Sequence, residues 1–313
     1  MSCCKLIDDE LRLTLTLLLH STCTVLYLTV THLTMMNQFL LYVASVAVGS
    51  LLLLETYVQI PINILQRRQV KALPDFPHRS AVILFPGYGG PDANTDRIIA
   101  EIEESDRDHK EQRFTHCYDW SDYRGNIIRT AYISKEIGNS IGRQLSLMQD
   151  TIGEQKSCRI KNLHVIGISV GSFAANECAN EFRRGLLKQY GRSYVDSSNI
   201  TITLSLLDPF TSLGLIRQGY GAKHFGRFID HSEQYLNTDD PVPFTNTPLP
   251  HCHTFDITSS QQRNSFQPLP GDSMHSWPAA YFGLNWRTKL DPRLKLNSHT
   301  SLFNRKGHIT YVP

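Results

Sequence analysis

The residues with the clearest capacity for chemistry form a five-residue motif. Residues 167–171 read Gly-Ile-Ser-Val-Gly, which fits the pattern G-x-S-x-G. In this pattern the serine sits on a sharp turn between a strand and a helix, which lifts its hydroxyl clear of the sheet, and the glycines leave room for neighbouring elements. The following helix directs its positive dipole end toward developing negative charge. A plain strand–helix connection is the alternative; the strand and helix predicted on either side favour Ser169 as a nucleophile.

A serine that attacks an acyl group needs two backbone N–H groups aimed at the oxyanion. One is expected from the residue after the nucleophile, Val170. The other is expected from a glycine-containing loop after an earlier strand, and residues 86–90 read Pro-Gly-Tyr-Gly-Gly. Tyr88 is the predicted donor in that loop. An ordinary glycine turn is less favoured because the loop has the expected order and distance relative to Ser169.

The catalytic base is expected to be a histidine that follows the last strand. The chain has 13 histidines, so most of them must have other roles. His164 falls inside a predicted strand, and His253 opens another. His275 lies on a loop just before a helix-like segment, and we therefore predict that it is the base.

Two aspartates compete for the role of the acid that orients this base. Asp208 follows one predicted strand and Asp240 follows the next, and each precedes a proline. Either carboxylate is suited to hold the imidazole in the right tautomer and to stabilise its charged form. We expect that only one reaches the His275 nitrogen that faces away from Ser169, and that the other is a turn residue.

The elements that must position these residues begin at Ala81, where short apolar segments alternate with polar helical stretches. Predicted strands cover residues 81–85, 113–118, 163–167, 200–207, 233–237 and 253–258, and predicted helices cover residues 127–148 and 172–187. Strands that alternate with helices predict an α/β fold with a mostly parallel sheet covered by helices on both faces.

The N-terminal part of the chain is unusually apolar. Residues 13–54 contain no Asp, Glu, Lys or Arg, and residues 39–54 are the most apolar stretch. Spanning a bilayer takes roughly 20 mostly apolar residues, which this stretch just reaches when it is extended to Ile60. The alternative is the apolar core of a signal peptide that starts at Met35 or Met36, although no basic residue follows either methionine. A buried helix of a soluble domain is least favoured, because no polar face accompanies this length.

These patterns divide the chain into three regions and predict its location. Residues 1–72 form an apolar anchor or signal with a linker, residues 73–283 form the folded domain, and residues 284–313 form a basic tail without a clear pattern. Arg67, Arg68 and Lys71 follow the apolar stretch, and positive flanks favour the cytoplasmic side. The protein is therefore expected to be membrane-associated or secreted.

Composition argues against several other classes of protein. The chain has 31 Lys and Arg against 29 Asp and Glu, a net charge of +2, which argues against a nucleic-acid partner. Its seven cysteines are scattered and show no zinc-binding spacing. No metal and no organic cofactor is expected, since a serine nucleophile with a histidine base requires neither.

The order of these motifs resembles the pancreatic-lipase-like branch of the α/β-hydrolase superfamily over residues 81–282. The resemblance is carried by Tyr118-Asp119-Trp120, by residues 163–172 around the serine, and by Leu-Leu-Asp-Pro at residues 206–209. Residues 240–243, Asp-Pro-Val-Pro, resemble a fungal-lipase element. The resemblance implies an α/β-hydrolase domain with a Ser-His-Asp triad that cleaves lipid esters, as lipases and phospholipases A1 do, and it favours Asp208 as the acid.

The chain also departs from that family. Ile168 stands where the family usually has His, and the family's dense disulfides and C-terminal β-sandwich are missing. The loop at residues 259–274 is short and polar, which argues against a large apolar lid and strict triacylglycerol specificity. Residues 213–228 are expected to help form the acyl pocket or a lid. Two rival functions are a soluble esterase or thioesterase acting on non-lipid acyl esters, and a non-catalytic lipid-binding relative.

Overall fold

The computed structural model describes residues 21, 35–59, 70–109, 112–123, 125–126, 129–152, 155–269, 272–286 and 305–313. Several features predicted from the sequence lie outside these residues. They are most of the first apolar stretch at residues 13–34, the basic residues Arg67 and Arg68, the first residues of the helix predicted from residue 127, and most of the C-terminal tail. The chain divides into two compact units, Met1–Tyr57 and Val58–Pro313.

The apolar N-terminal stretch forms one long helix, α1 (Met35–Gln59), as predicted. Its Leu, Val and Ala residues run without a proline until Pro61, so nothing interrupts the helical hydrogen bonds. The hydroxyls of Ser45 and Thr56 donate to the carbonyls of Leu41 and Leu52, each at 2.8 Å, which satisfies these polar groups within the helix itself. Among the described residues this helix alone is long and apolar enough to cross a membrane, a property that signal sequences and buried helices share.

The second unit is built on a parallel sheet, which confirms the predicted α/β class. Its strands are β1 (Ser80–Phe85), β2 (Arg113–Cys117), β5 (Asn162–Ile168), β6 (Thr201–Leu207), β7 (His231–Leu236), β8 (His253–Asp256) and β9 (Ile309–Tyr311). They lie in the order β2-β1-β5-β6-β7-β8-β9, and every pair is parallel. A separate antiparallel hairpin consists of β3 (Gln149–Ile152) and β4 (Gln155–Cys158). The six predicted strands appear with ends shifted by no more than two residues.

Helices connect these strands. They are α2 (Ala93–His109), α3 (Thr130–Leu147), α4 (Gly171–Tyr190), α5 (Arg192–Ser197), α6 (Tyr220–His224) and α7 (Trp277–Asn285). The two predicted helices correspond to α3 and α4. These two pack very closely, since a Cβ atom on Gly138 would lie 2.2 Å from the carbonyl oxygen of Ala174. The sequence analysis missed α2, although the reciprocal hydrogen bonds between Asp92 and Thr95 cap its first turn.

Both faces of the sheet are buried, because residues along each central strand alternate between two apolar cores. In β1, Ile83 and Phe85 join the core beneath α3 and α4, which includes Phe173. Val82 and Leu84 face the opposite core, which α2 and α7 cover with residues such as Ile98 and Phe282. The near-continuous apolar run of β1 is what a strand buried on both faces requires.

Part of the unassigned C-terminal tail belongs to the folded unit. Strand β9 pairs in parallel with β8 at the edge of the sheet. Just before it, the Lys306 ammonium donates to the carbonyls of Gly226 at 2.7 Å and Ile229 at 2.8 Å. Residues 305–313 of the tail therefore belong to the domain, so the domain boundary predicted at residue 283 is wrong.

The order of the strands determines where the candidate residues lie. Ser169 follows β5, Asp208 follows β6, and Asp240 comes shortly after β7. Because these strands are parallel and adjacent, their carboxyl ends lie at one edge of the sheet. In open α/β sheets this edge is where ligands bind.

Candidate active site

Ser169 occupies the sharp turn between β5 and α4 in a backbone conformation that is unusual for its type. Its φ angle is +51°, in the left-handed region that non-glycine residues rarely adopt. Two backbone hydrogen bonds hold it there: its N–H donates to Leu207 at 2.9 Å, and its carbonyl accepts from Phe210 at 3.1 Å. Strain of this kind persists where the surroundings enforce it, commonly at functional sites.

The two glycines that flank this serine are required by close contacts. A Cβ atom on Gly167 would lie 2.7 Å from the Cβ of Ala175, in the helix that follows. A Cβ atom on Gly171 would lie 2.3 Å from the carbonyl oxygen of Pro86. Neither position has room for a side chain. The G-x-S-x-G spacing therefore has the structural reason proposed for it from the sequence.

The glycine-rich loop at residues 86–90 lies directly against Ser169. A Cβ atom on Gly87 would be 3.6 Å from the Cβ of Ser169, an ordinary contact distance. The N–H of Gly90 donates to the carbonyl of Gly87 at 3.1 Å and closes a tight turn at Tyr88. The loop is held from below by Trp120, whose indole N–H donates to the carbonyl of Pro86 at 2.9 Å.

Tyr88 and Val170, the two predicted oxyanion donors, lie at one cavity. Val170 precedes the first residue of α4, where backbone N–H groups have no partner inside the helix. Tyr88 and Val170 both line a cavity that also contains Ser169 and His275. The structure thus brings the two predicted donors beside the predicted nucleophile.

His275 lies on a one-turn helix, Met274–Ser276, immediately before α7. Its Nδ1 donates to Oδ2 of Asp240 at 2.6 Å and lies 3.2 Å from Oδ2 of Asp208. The expectation that only one of the two acids reaches this nitrogen is therefore wrong. Strands β6 and β7 are direct neighbours, with Leu207 in register with Tyr235, so the segments that follow them deliver an aspartate each to the same imidazole.

The other nitrogen of His275, Nε2, lies on the side of the ring opposite to Nδ1. It is buried and has no hydrogen-bond partner within the described part of the chain, so it is not bonded to the Ser169 hydroxyl. Ser169 and His275 line the same two cavities. In free enzymes the hydrogen bond between nucleophile and base is often long and tightens only with substrate, so this arrangement suits a nucleophile and its base.

The two acids have different surroundings. Asp240 accepts hydrogen bonds from the Thr245 hydroxyl and from the Val242 N–H, the latter at 3.0 Å. Asp208 has a φ of +47°, its side chain is 1% exposed, and it accepts the N–H of Asn237 at 3.2 Å. Both carboxyl groups are buried, with 1% of the Asp208 side chain and 0% of the Asp240 side chain exposed, and burial disfavours a charge on either. Among the described residues Asp240 has two donors besides His275 and Asp208 has one, so the ionised form of Asp240 is the better stabilised.

The pKa values follow from these surroundings. Burial raises the pKa of Asp208 to about 8, although its hydrogen bond with His275 opposes the rise. Burial would also raise the pKa of Asp240, but hydrogen bonds with His275, Asp208, Thr245 and Val242 lower it to about 2. Burial would lower the pKa of His275, but hydrogen bonds with both acids raise it to about 9. The pKa of Asp240 is therefore lowered and that of Asp208 is raised, and Asp240 also makes the shorter contact with Nδ1, which favours Asp240 over the preferred Asp208 as the orienting acid.

These three groups also have the spacing of a metal-ligand set, since one ligand atom from each lies within 4.8 Å of the others. The 2.6 Å contact between His275 Nδ1 and Asp240, however, has the length of a charge-assisted N–H···O hydrogen bond. This length suits an imidazole that its carboxylate orients, with Nδ1 as the donor.

Two cavities meet at Ser169, Tyr88 and His275. The first has a volume of about 450 Å³ and mostly apolar walls, which include Phe210, Leu215, Val242, Pro243 and Phe244. The second has a volume of about 360 Å³ and more polar walls, which include Asp92, Thr95, Asp272 and Ser276. The candidate nucleophile thus borders both an apolar cavity and a more polar one.

The remaining histidines considered from the sequence lie away from this site. His164 Nε2 is 2.9 Å from the Ser205 hydroxyl inside the sheet, and His253 Nε2 is 2.8 Å from the Thr310 hydroxyl at its edge. Sequence reasoning missed Asn237, whose side-chain amide donates to the carbonyl of Met274 at 3.2 Å and so fastens the His275 loop. Its position at the end of the predicted strand at residues 233–237 was the only signal for it in the sequence.

Comparison with known proteins does not extend this description. No family model matches the chain, and no curated protein matches it.

Proposed function

We propose that this protein is a serine hydrolase of the α/β-hydrolase class that cleaves carboxylic ester bonds of lipids. The single observation that carries the proposal is the placement of Ser169 and His275. A strained serine on a strand–helix turn lines the same cavities as a histidine whose far nitrogen is held by two aspartates. This is the geometry by which Ser-His-Asp enzymes are recognised on unrelated folds.

In the proposed reaction His275 Nε2 takes the proton of the Ser169 hydroxyl as its oxygen attacks the ester carbonyl. The Tyr88 and Val170 amides stabilise the oxyanion, and His275 then gives the proton to the leaving alcohol. Water, activated by the same imidazole, hydrolyses the acyl-enzyme. Asp240, ionised and 2.6 Å from Nδ1, holds the tautomer and stabilises the imidazolium.

The apolar cavity supports a lipid acyl group as the substrate. Its walls at Phe210, Leu215 and Phe244 offer no charge to an acyl chain, and Ser169 also lines it. The smaller and more polar cavity also borders the nucleophile, and the leaving alcohol would depart through it. Such a division suits an ester of an apolar acid with a polar alcohol.

The proposed setting is a membrane or its surface. The apolar helix α1 supports this, and its position near the N-terminus is compatible with either an anchor or a signal sequence. An enzyme that acts on lipid esters meets its substrate at such a surface. We therefore propose a membrane-associated or exported hydrolase.

The decisive experiment labels the full-length protein with a fluorophosphonate and maps the modified peptide by mass spectrometry. We expect the label on Ser169, and we expect Ser169→Ala to lose both the label and ester hydrolysis. Ser197→Ala is the matched control, because Ser197 is an exposed serine on α5 whose hydroxyl bonds only its own helix. A Ser169→Ala variant that hydrolyses the ester at the wild-type rate would contradict the proposal. The rates on micellar and on monomeric esters, compared for the wild type, test the preference for lipids.

A further inference from the structure

The segment between β6 and β7 carries a group of exposed cations that the proposed chemistry does not use. Arg217, Lys223 and Arg227 are all exposed. None of the three forms an ion pair with any residue that the structure describes. The chain as a whole has a net charge of only +2, so this is a local concentration of positive charge.

Local backbone hydrogen bonds connect the residues that carry these cations to the short helix α6. The N–H of Tyr220 donates to the carbonyl of Arg217 at 3.2 Å, and the N–H of Arg227 donates to the carbonyl of His224 at 3.3 Å. The rings of Tyr220 and His224 stack with centroids 4.1 Å apart. The three cations therefore belong to one compact fold of the chain.

The charges act together on His224. Burial lowers the pKa of His224, and the positive charges of Lys135, Arg227, Lys223 and Arg217 lower it further. Lys135 comes from α3 and lies 5.3 Å from the centre of the Tyr220 ring. Its charge is partly offset by the buried Glu177, which also bonds the Tyr220 hydroxyl, so Arg217, Lys223 and Arg227 carry the outward-facing charge.

Exposed apolar side chains lie among these cations. Ile216 is 49% exposed and Phe228 is 60% exposed, each next in sequence to one of the three cations. The guanidinium of Arg227 lies 5.0 Å from the centre of the Phe228 ring. Positive charge combined with exposed apolar groups is the chemistry of a surface that enters the headgroup region of a membrane. Binding to the nucleic-acid backbone relies on a large excess of positive charge, which a chain with a net charge of +2 does not have.

The same segment forms a wall of the apolar cavity. Gly214 and Leu215 line that cavity, and the Leu213 N–H donates to the carbonyl of Arg217 at 3.1 Å. This bond closes a tight loop from the cavity wall to the first cation. The cavity wall and the cationic surface are therefore parts of one short loop.

We propose that Arg217, Lys223 and Arg227, together with Ile216 and Phe228, form a docking surface for the anionic headgroups of a lipid membrane. Docked in this way, the membrane lies beside the wall of the apolar cavity. The binding surface stands on its own residues, whereas its use in feeding substrate to Ser169 rests on the proposed function. Each basic residue close to an anionic surface strengthens binding about fivefold.

The first test measures docking without catalysis. The full-length Ser169→Ala protein is held in nonionic detergent micelles, so that detergent covers the apolar surface of α1 in every sample. Hydrogen–deuterium exchange is then followed after phosphatidylglycerol or phosphatidylcholine is added. We expect residues 213–228 to exchange at least severalfold more slowly with phosphatidylglycerol only. The triple variant Arg217→Glu/Lys223→Glu/Arg227→Glu should lose this protection. Equal protection by both lipids, or protection retained by the triple variant, would overturn the proposal.

A matched control uses cations at the other end of the molecule. Lys188 lies in the last turn of α4, about 30 Å along this helix from the nucleophile, and Arg192 is the first residue of α5. Lys188→Glu/Arg192→Glu should keep the protection by phosphatidylglycerol. Circular dichroism verifies that the triple variant folds, so that a loss of protection is not a loss of structure.

The second test separates docking from the proposed activity. With Ser169 intact, the triple variant should hydrolyse a monomeric soluble ester at the wild-type rate but lose at least tenfold of its rate on an ester in phosphatidylglycerol micelles. If the wild type hydrolyses neither ester, the proposed function fails while the exchange experiment still decides the docking surface. If the triple variant keeps its full rate in anionic micelles, the docking surface does not serve catalysis, and its proposed use in delivering substrate to Ser169 is overturned.

Discussion

His275 donates a hydrogen bond from Nδ1 to the carboxylate of Asp240 at 2.6 Å, although strand β8 and the loops on either side of it lie between the two residues in the sequence. Asp208 shares the same nitrogen at 3.2 Å. The site thus combines, in one molecule, an acid after β6 and an acid after β7. The consequences of this shared contact can be measured.

Asp240→Asn should be the more damaging of the two acid variants. Asp240 makes the shorter bond and is ionised at neutral pH, so its loss leaves the imidazole without its orienting charge. We expect kcat to fall by up to ~10⁴ with KM nearly unchanged, because the imidazole is then held in the wrong tautomer. Asp208→Asn should lose less, since Asp240 remains in place. Steady-state kinetics on a soluble ester measures kcat and KM of the two variants. An inactive Asp208→Asn variant beside an active Asp240→Asn variant would show that Asp208 is the orienting acid, as the resemblance implied.

The pH dependence of kcat/KM should show a base with a raised pKa. His275 must be neutral to accept the serine proton, and hydrogen bonds with the two acids raise its pKa to about 9 against the lowering effect of burial. Activity should therefore increase with pH through the neutral range toward that value. Asp208→Asn removes one cause of the rise, so its profile should move to lower pH. A wild-type profile centred at the ordinary histidine pKa of about 6.5 would contradict this reading.

Trp120→Phe should lower kcat by displacing the oxyanion loop. The indole N–H of Trp120 donates to the carbonyl of Pro86, and a phenylalanine leaves that buried carbonyl without its donor. Leaving one buried polar group unsatisfied costs about 1–3 kcal/mol. Trp286→Phe is the matched control, because Trp286 is also fully buried but its indole nitrogen has no hydrogen-bond partner among the described residues. Equal kcat values for the two variants would argue against a role for this hydrogen bond.

Gly171→Ala should destabilise the protein, whereas Gly89→Ala should not. The added Cβ of Gly171→Ala would lie 2.3 Å from the Pro86 carbonyl oxygen, so α4 or the loop must shift. Overpacking of this kind costs about 1–3 kcal/mol. A Cβ on Gly89, in the same loop, would meet nothing within 4 Å. Thermal unfolding monitored by circular dichroism compares the two variants. Equal Tm values would show that the turn between β5 and α4 accommodates the added methyl group more readily than its geometry indicates.

Helix α1 should decide where the protein is found. With 25 helical residues of apolar character, the full chain is expected to partition with membranes or to lose its N-terminus on export. Fractionation, followed by mass-spectrometric sequencing of the mature N-terminus, distinguishes an anchor from a cleaved signal. An intact chain beginning at Met1 and recovered wholly in the soluble fraction would contradict both forms of the prediction.

Much of the fold could be predicted from local patterns. The apolar run of β1 and the helical spacing in α3 depend only on residues close in sequence, and both elements appear within a few residues of their predicted positions. Helix α2 was missed because it is strongly polar. Besides Ile98 and Ile102 its buried residues are the polar Asn94, Thr95, Ser105 and Asp106, which leave no apolar period in the sequence. Strand β9 was missed because its three residues are too short to show a period.

For the candidate site, the sequence by itself determined which residues carry suitable chemistry and which local turn places Ser169, since a strand, a serine between glycines and a helix are neighbours along the chain. Only the tertiary structure decided that Asp208 and Asp240 meet at one imidazole, and that two cavities of different polarity meet at Ser169. The physical reason is that backbone conformation follows from near neighbours. The contact of Asp208 with residue 275, by contrast, depends on the order and register in which β6 and β7 join the sheet.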